Sequence, residues 1–207
     1  MEQQAAEGLL SCCARCQSRL LKWTIYVCRG EKSVFDPTVF DNLKVAIENQ
    51  IYDLDNIDGV IRVTGRDDRL EMSMMARKFA IRFQVSGDER ITAEIRLESS
   101  LRELAAEILE QEGEDPGCRL QLRFMLPVRD VAAECPRLEE AVRGTWGQTP
   151  ELAQRISYIY GQEAAGFLNT IELDFHRKIN EEQMEDLPEL IDHVLRTLVV
   201  LRATVVD

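Results

Sequence analysis

The chain has 207 residues, 45% of them hydrophobic and 30% charged, with six cysteines and a net charge of −12. That hydrophobic share is enough to build a core and excludes a wholly disordered chain. The acidic balance argues against nucleic-acid binding, because affinity for phosphate backbones comes from Lys and Arg. The longest apolar runs, such as Leu198 to Leu201, fall far short of the ~20 residues of a membrane-spanning helix.

Charge is unevenly distributed. Glu2 and Glu7 against Arg15, Arg19, Lys22 and Arg29 give the first thirty residues +2, which leaves −14 for the remainder of a chain whose total is −12. Four of the six cysteines, Cys12, Cys13, Cys16 and Cys28, lie in that basic stretch. Met1 to Gly8 is acidic and no apolar core leads to a cleavage site, unlike a secretory signal, so a cytoplasmic protein with reduced thiols is expected. Cys13-x-x-Cys16 has the bite of two zinc ligands, and Cys12 and Cys28 complete a candidate metal set, but the second close pair typical of structural zinc is missing. The same stretch carries Leu9, Leu10, Leu20, Leu21, Trp23, Ile25 and Tyr26 between basic residues, so residues 8–30 are also the one candidate for membrane contact, with cysteines open to acylation. Composition divides the chain into a Cys-rich basic extension over residues 1–32 and a single domain over 33–207.

Asp36 and Pro37 read as the N-cap and first position of a helix whose buried stripe is Phe40, Leu43, Ile47, Ile51 and Leu54. Gly59 releases the chain into a strand from Val60 to Thr64, and Gly65 to Asp68 read as a turn. A long strand candidate from Arg69 to Val85 changes parity midway, from Leu70, Met72 and Met74 to Phe79, Ile81, Phe83 and Val85, which predicts a bulge or break around Met75 to Lys78. Ser86 to Glu89 close a hairpin onto a strand with Ile91, Ala93, Ile95 and Leu97 inward. Ser100 and Glu103 form a capping-box pattern for a helix with the stripe Leu101, Leu104, Ala105, Ile108 and Leu109, expected to cover the sheet. A further strand alternates Leu120, Leu122, Phe124 and Leu126 against polar residues. Helical patterns then run from Val128 to Arg143, interrupted at Pro136, and from Thr149-Pro150 to Tyr160. Ile171, Leu173 and Phe175 mark a fifth strand. Asn180 and Gln183 cap a final helix with Leu187, Leu190, Ile191, Val194, Leu195 and Leu198 on one side. The expected architecture is α+β: a mainly antiparallel sheet of about five strands, helices packed on one face, and a long C-terminal helix.

Three constellations carry chemistry. Asp53, Asp55, Asp58, Asp67 and Asp68 crowd one end of the first helix, but the spacing fails as a calcium loop, with Ile57 and Asp58 where a ligand and a glycine belong, and reads as a solvated acidic surface. Glu172, Asp174 and His176 alternate with apolar residues and so share one strand face; Asp174 and His176 are the candidate catalytic or metal-binding pair. Arg62, Arg82, Arg96 and Arg123 occupy the outward positions of their strands, interleaved with Glu94, Glu98, Glu172 and Asp174. They form either a cross-strand charge ladder or a cradle for a carboxylate or phosphate ligand.

The chain lacks G-x-G-x-x-G, the Walker G-x-x-x-x-G-K, G-x-S-x-G and H-E-x-x-H. Met72, Met74 and Met75 and the excess of Arg over Lys suit a protein contact surface. The function expected is a non-catalytic interaction or regulatory module, self-associating through its sheet or last helix as a homodimer, with a protein partner or itself and no cofactor beyond a zinc at the cysteines. The alternative is a small-molecule- or metal-dependent enzyme using Asp174, His176 and the sheet arginines.

Overall fold

A computed structural model describes residues 38–110, 113–162 and 166–205. Cys12, Cys13, Cys16 and Cys28, the boundary near residue 33 and the Asp36-Pro37 start signal all lie outside the described residues. The first helix, α1 (Val39–Asn56), begins two residues later than the sequence suggests. Thr38 is its N-cap: the Asp41 N–H donates to Thr38 Oγ1 at 3.3 Å, and the Thr38 hydroxyl donates back to Asp41 Oδ2 at 2.8 Å. Phe40, Leu43, Ile47 and Ile51 form its buried stripe as predicted, while Leu54, the last residue of the predicted stripe, is only partly buried.

The chain then runs through β1 (Ile61–Glu71), β2 (Ala76–Val85), β3 (Thr92–Ser99), α2 (Leu101–Ile108), β4 (Cys118–Val128), α3 (Val131–Trp146), β5 (Glu151–Ser157), β6 (Phe167–Ile179), a 3-10 turn (Glu181–Asp186) and α4 (Leu187–Thr204). The sheet has six strands in the order β1-β2-β3-β4-β6-β5, and every neighbouring pair is antiparallel. Strand alternation sorts the residues: Phe79, Ile81, Phe83, Ala93, Ile95, Leu97, Leu122, Phe124, Ile171 and Leu173 are buried on one face. There they meet Leu43 and Ile47 of α1, Leu138 and Val142 of α3, and Ile191, Val194, Leu198 and Leu201 of α4 in one continuous core. Removing each such side chain from water contributes about 1.5–3 kcal/mol, so this face, rather than local propensity, holds the layers together.

Several expectations are corrected. The sheet has six strands rather than about five, because residues 151–157, which carry a helical pattern, form β5. Leu152 and Ile156 point inward, and between them the inward position is the polar Gln154, whose side-chain N–H donates to the Cys135 carbonyl of α3 at 3.0 Å. A polar residue on the inner face hides the alternation that would mark a strand. Gly65 to Asp68 are not a turn: β1 runs straight through them with a bulge between Val63 and Gly65. The bulge turns Arg66 and Asp68 toward α1, where Arg66 bonds Glu48 and Lys44 Nζ lies 3.1 Å from Asp68. The break predicted around Met75 to Lys78 is a hairpin turn, with Met75 at φ +50°.

Two helices also depart from expectation. In α2 the predicted stripe does not cover the sheet: Leu101, Ile108 and Leu109 are exposed and only Ala106 is buried. Ser100 makes no side-chain cap bond, and Glu103 instead accepts from the Gly117 N–H at 3.1 Å and from Lys178 Nζ at 2.8 Å. α2 is thereby tied to the rim of the sheet, and Glu107 fastens it to the start of α1 by accepting the Val39 N–H at 2.8 Å. α3 is one helix that passes through Pro136, which removes one intrahelical bond but leaves Leu138 and Val142 buried. Asp130 caps it, accepting from the Ala133 N–H at 3.0 Å. The Asn180/Gln183 capping box is present as predicted, on the 3-10 turn that leads into α4.

Candidate functional site

Antiparallel pairing sets the charged residues of the outer sheet face in rows. One row runs Arg82, Glu94, Arg123, Glu172 and Ala153 across β2, β3, β4, β6 and β5. Arg82 Nε lies 2.6 Å from Glu94 Oε2, while Arg96 Nε and Arg123 Nη1 lie 3.5 and 3.7 Å from Glu94 Oε1. Three of the four candidate arginines therefore converge on one carboxylate, whose side chain is only 6% exposed under their canopy. Arg62 stands apart and pairs with Glu89 at 3.5 Å in solvent. Arg123 Nη2 continues the row to Glu172 at 2.7 Å, and Arg155 reaches Glu172 from β5 at 3.3 Å. A buried carboxylate is tolerated only when its charge is compensated, and here the arginines of neighbouring strands supply the compensation. The cradle geometry exists, and its anion is the protein's own Glu94.

Asp174 and His176 sit at an irregularity in β6. Between Asp174, opposite Gln121, and Lys178, opposite Arg119, residues 175–177 face the single residue Leu120. His176 absorbs the excess with φ +55°, a left-handed conformation that costs a side-chain-bearing residue energy, and its N–H donates to Asp174 Oδ1 at 3.0 Å. The bulge turns the imidazole toward the sheet edge, where Nε2 lies 2.5 Å from Glu151 Oε2; Nδ1 is 3.8 Å from Asp174. Asp174 also bonds Arg119 and accepts from Gln121 Nε2 at 2.9 Å. Burial pushes its carboxyl up, but these hydrogen bonds from Arg119, Gln121 and the His176 N–H outweigh burial and hold it at about 2. Asp174 is thus a fixed anion at neutral pH rather than a group poised to exchange protons. Glu151, the residue closest to the imidazole, carried no signal in the sequence because its strand resembled a helix.

His193 is not a partner of His176. It lies on α4 against the Trp146 ring, centroids 5.5 Å apart, with Nδ1 3.0 Å from the Glu189 carbonyl oxygen. The acidic cluster disperses: Asp55 accepts the Val63 N–H at 3.2 Å, Asp67 pairs with Arg69 at 2.6 Å, and Asp68 pairs with Lys44 and Arg66. Among the described residues no group of three or more His, Cys, Asp or Glu side chains is placed to hold a metal ion. Cys118 is buried at the start of β4, and burial pushes its thiol up to about 12, which keeps it protonated and unreactive.

Apolar side chains are exposed in separate places. Leu70, Met72 and Met74 surround the β1–β2 turn, and Tyr158, Ile159 and Tyr160 follow β5. Among the described residues no helix is long and apolar enough to cross a membrane. Compared with known proteins, the chain matches no family model, no curated protein and no solved structure.

Proposed function

We propose that this chain is a non-catalytic interaction module that self-associates. The observation that carries the reading is the pairing of the outer-face arginines Arg82, Arg96, Arg119, Arg123 and Arg155 with carboxylates of the same sheet. A face whose charges already neutralise one another is a stiff platform with little left to bind a small anion, whereas exposed apolar groups at the sheet's ends suit contact with another protein. Sedimentation velocity of the full chain over a concentration series tests this. The expected result is a mass rising toward twice the 23.7 kDa of one chain; a single-chain mass at every concentration overturns it.

One observation favours a second reading, a small-molecule- or metal-dependent enzyme: the left-handed His176 holds its imidazole 2.5 Å from Glu151, a strained backbone in contact with a carboxylate. The arrangement matches a base and its orienting group. On this reading, native mass spectrometry of the purified protein shows a bound small molecule or metal that His176→Ala loses with its fold intact. If the variant's adducts equal those of the parent protein, the enzyme reading is refuted.

A further inference from the structure

The two edges of the sheet are built differently. β1 is guarded: a bulge interrupts it, Arg66, Asp67, Asp68 and Arg69 follow in sequence, and the Asp55 carboxylate occupies the outward Val63 N–H. These are the devices by which proteins prevent unwanted strand pairing. Among the described residues β5 has none of them. Its seven residues contain no glycine or proline, and its register with β6 is unbroken from Glu151 opposite Asp174 to Ser157 opposite Leu168. The chain leaves it through Tyr158, Ile159 and Tyr160, exposed by 55%, 68% and 91%. An unguarded edge next to exposed aromatic residues is a surface prepared for another strand.

The charges of β5 select the occupant. Its outer-face residues are Glu151, Ala153, Arg155 and Ser157, so a carboxylate and a guanidinium flank Ala153 symmetrically, two residues to either side. When such a strand meets its own copy antiparallel with Ala153 on the two-fold axis, Glu151 of each chain stands opposite Arg155 of the other. The outer-face row alternates Arg82, Glu94, Arg123 and Glu172 and ends at Ala153 on β5; Arg155, opposite Thr170, reaches diagonally to Glu172 and is 68% exposed. The two-fold sets the Glu151 carboxylate of the second copy opposite this exposed guanidinium. Directly opposed residues of unlike charge stabilise an antiparallel pair, while like charges in the same places oppose it.

We propose that β5 pairs antiparallel with β5 of a second copy about a two-fold axis at Ala153, joining two six-stranded sheets into one with Glu151 of each chain opposite Arg155 of the other. The proposal rests on the reading that the chain self-associates and names the surface that does it. The same symmetry brings Tyr158 and Ile159 level with Gln148 and Gly147 of the second copy, which places the exposed apolar segment beside the contact. The interface is isologous, so each ion pair occurs twice.

Charge exchange tests the register. Glu151→Arg sets arginine against arginine in a self-pair and Arg155→Glu sets glutamate against glutamate, whereas a mixture of the two variants restores two opposite-charge pairs in the heterodimer. Sedimentation and native mass spectrometry of the full chain are expected to show each single variant dimerising at least about tenfold more weakly than the parent, and the mixture recovering a mixed dimer. Circular dichroism of each variant verifies the fold. A parent dimer whose single variants dimerise unchanged, or whose mixture fails to recover, overturns the β5 pairing and leaves self-association standing. A parent that stays monomeric overturns both.

Discussion

The junction of α1 with the sheet shows how one residue joins elements. Arg77 of β2 donates from both Nη atoms to the two oxygens of Asp41 at 2.8 Å, and its guanidinium lies over the Phe40 ring, 4.4 Å from the centroid. The hydrogen bonds from Arg77 hold the Asp41 carboxyl down at about 2, below its ordinary value of 3.8, despite partial burial. A folded-state pKa below the unfolded one contributes stability that is complete above the ordinary carboxylate range and is lost as pH falls through the folded value. Denaturation midpoints measured from pH 7 downward are therefore expected to fall most steeply between about pH 4 and pH 2, with Asp41→Asn flattening that limb. An unchanged acid limb in Asp41→Asn contradicts the assigned bond. At neutral pH Arg77→Ala removes the same clamp together with its stacking on Phe40, and is expected to cost about 1–3 kcal/mol in a urea titration. The outward placement of Glu172 and Asp174 was legible from i, i+2 spacing alone. The left-handed turn at His176 was not, because the excess residues appear only when β6 is laid against β4.

At the scale of elements, local signals succeeded where one face is uniformly apolar and failed where tertiary partners replace apolar residues. β3, β4 and the stripes of α1 and α4 follow their hydrophobic periods. β5 failed: Thr149-Pro150 resembles a helix start, Leu152 and Ile156 suit helical spacing, and the inward Gln154 gains its partners from α3 and from Asn169, whose Nδ2 donates to Gln154 Oε1 at 2.7 Å. α2 failed in the opposite sense, since its apolar stripe is real in sequence but its position is set by Glu103 and Glu107 bonding to chain segments elsewhere. Strand packing also makes two glycines unequal. A Cβ on Gly117, at the entry to β4, meets the Ile179 carbonyl oxygen at 2.8 Å and Lys178 Cβ at 3.1 Å, whereas one on Gly144 within α3 meets nothing within 4 Å. Gly117→Ala is expected to destabilise by about 1–3 kcal/mol and Gly144→Ala to stabilise by about 0.5–1 kcal/mol. Thermal melts of the two variants check both, and a neutral Gly117→Ala contradicts the close approach of β4 and β6.

At the largest scale, the described residues form two layers, with helices over one sheet face and a charge ladder on the other. Asp88, in the turn between β2 and β3, anchors the far end of α4 through Arg202 at 3.1 Å, so hairpin and helix close over the core together. On the proposed pairing, the asymmetry of the edges, β1 guarded and β5 open, directs association to one side, and the charge-exchange pair reads it as a change in dimer affinity.

The sequence by itself determined the fold class, the inward residues of most strands, the buried stripes of the long helices and the outward placement of the arginines, because each follows from a period of 2 or 3.6 that is local to the chain. Only the tertiary structure decided that residues 151–157 are a strand, that Arg82, Arg96 and Arg123 share Glu94, and that Glu151 meets His176. These depend on strand order and on a bulge in β6, and both are settled by long-range pairing that no window of sequence contains.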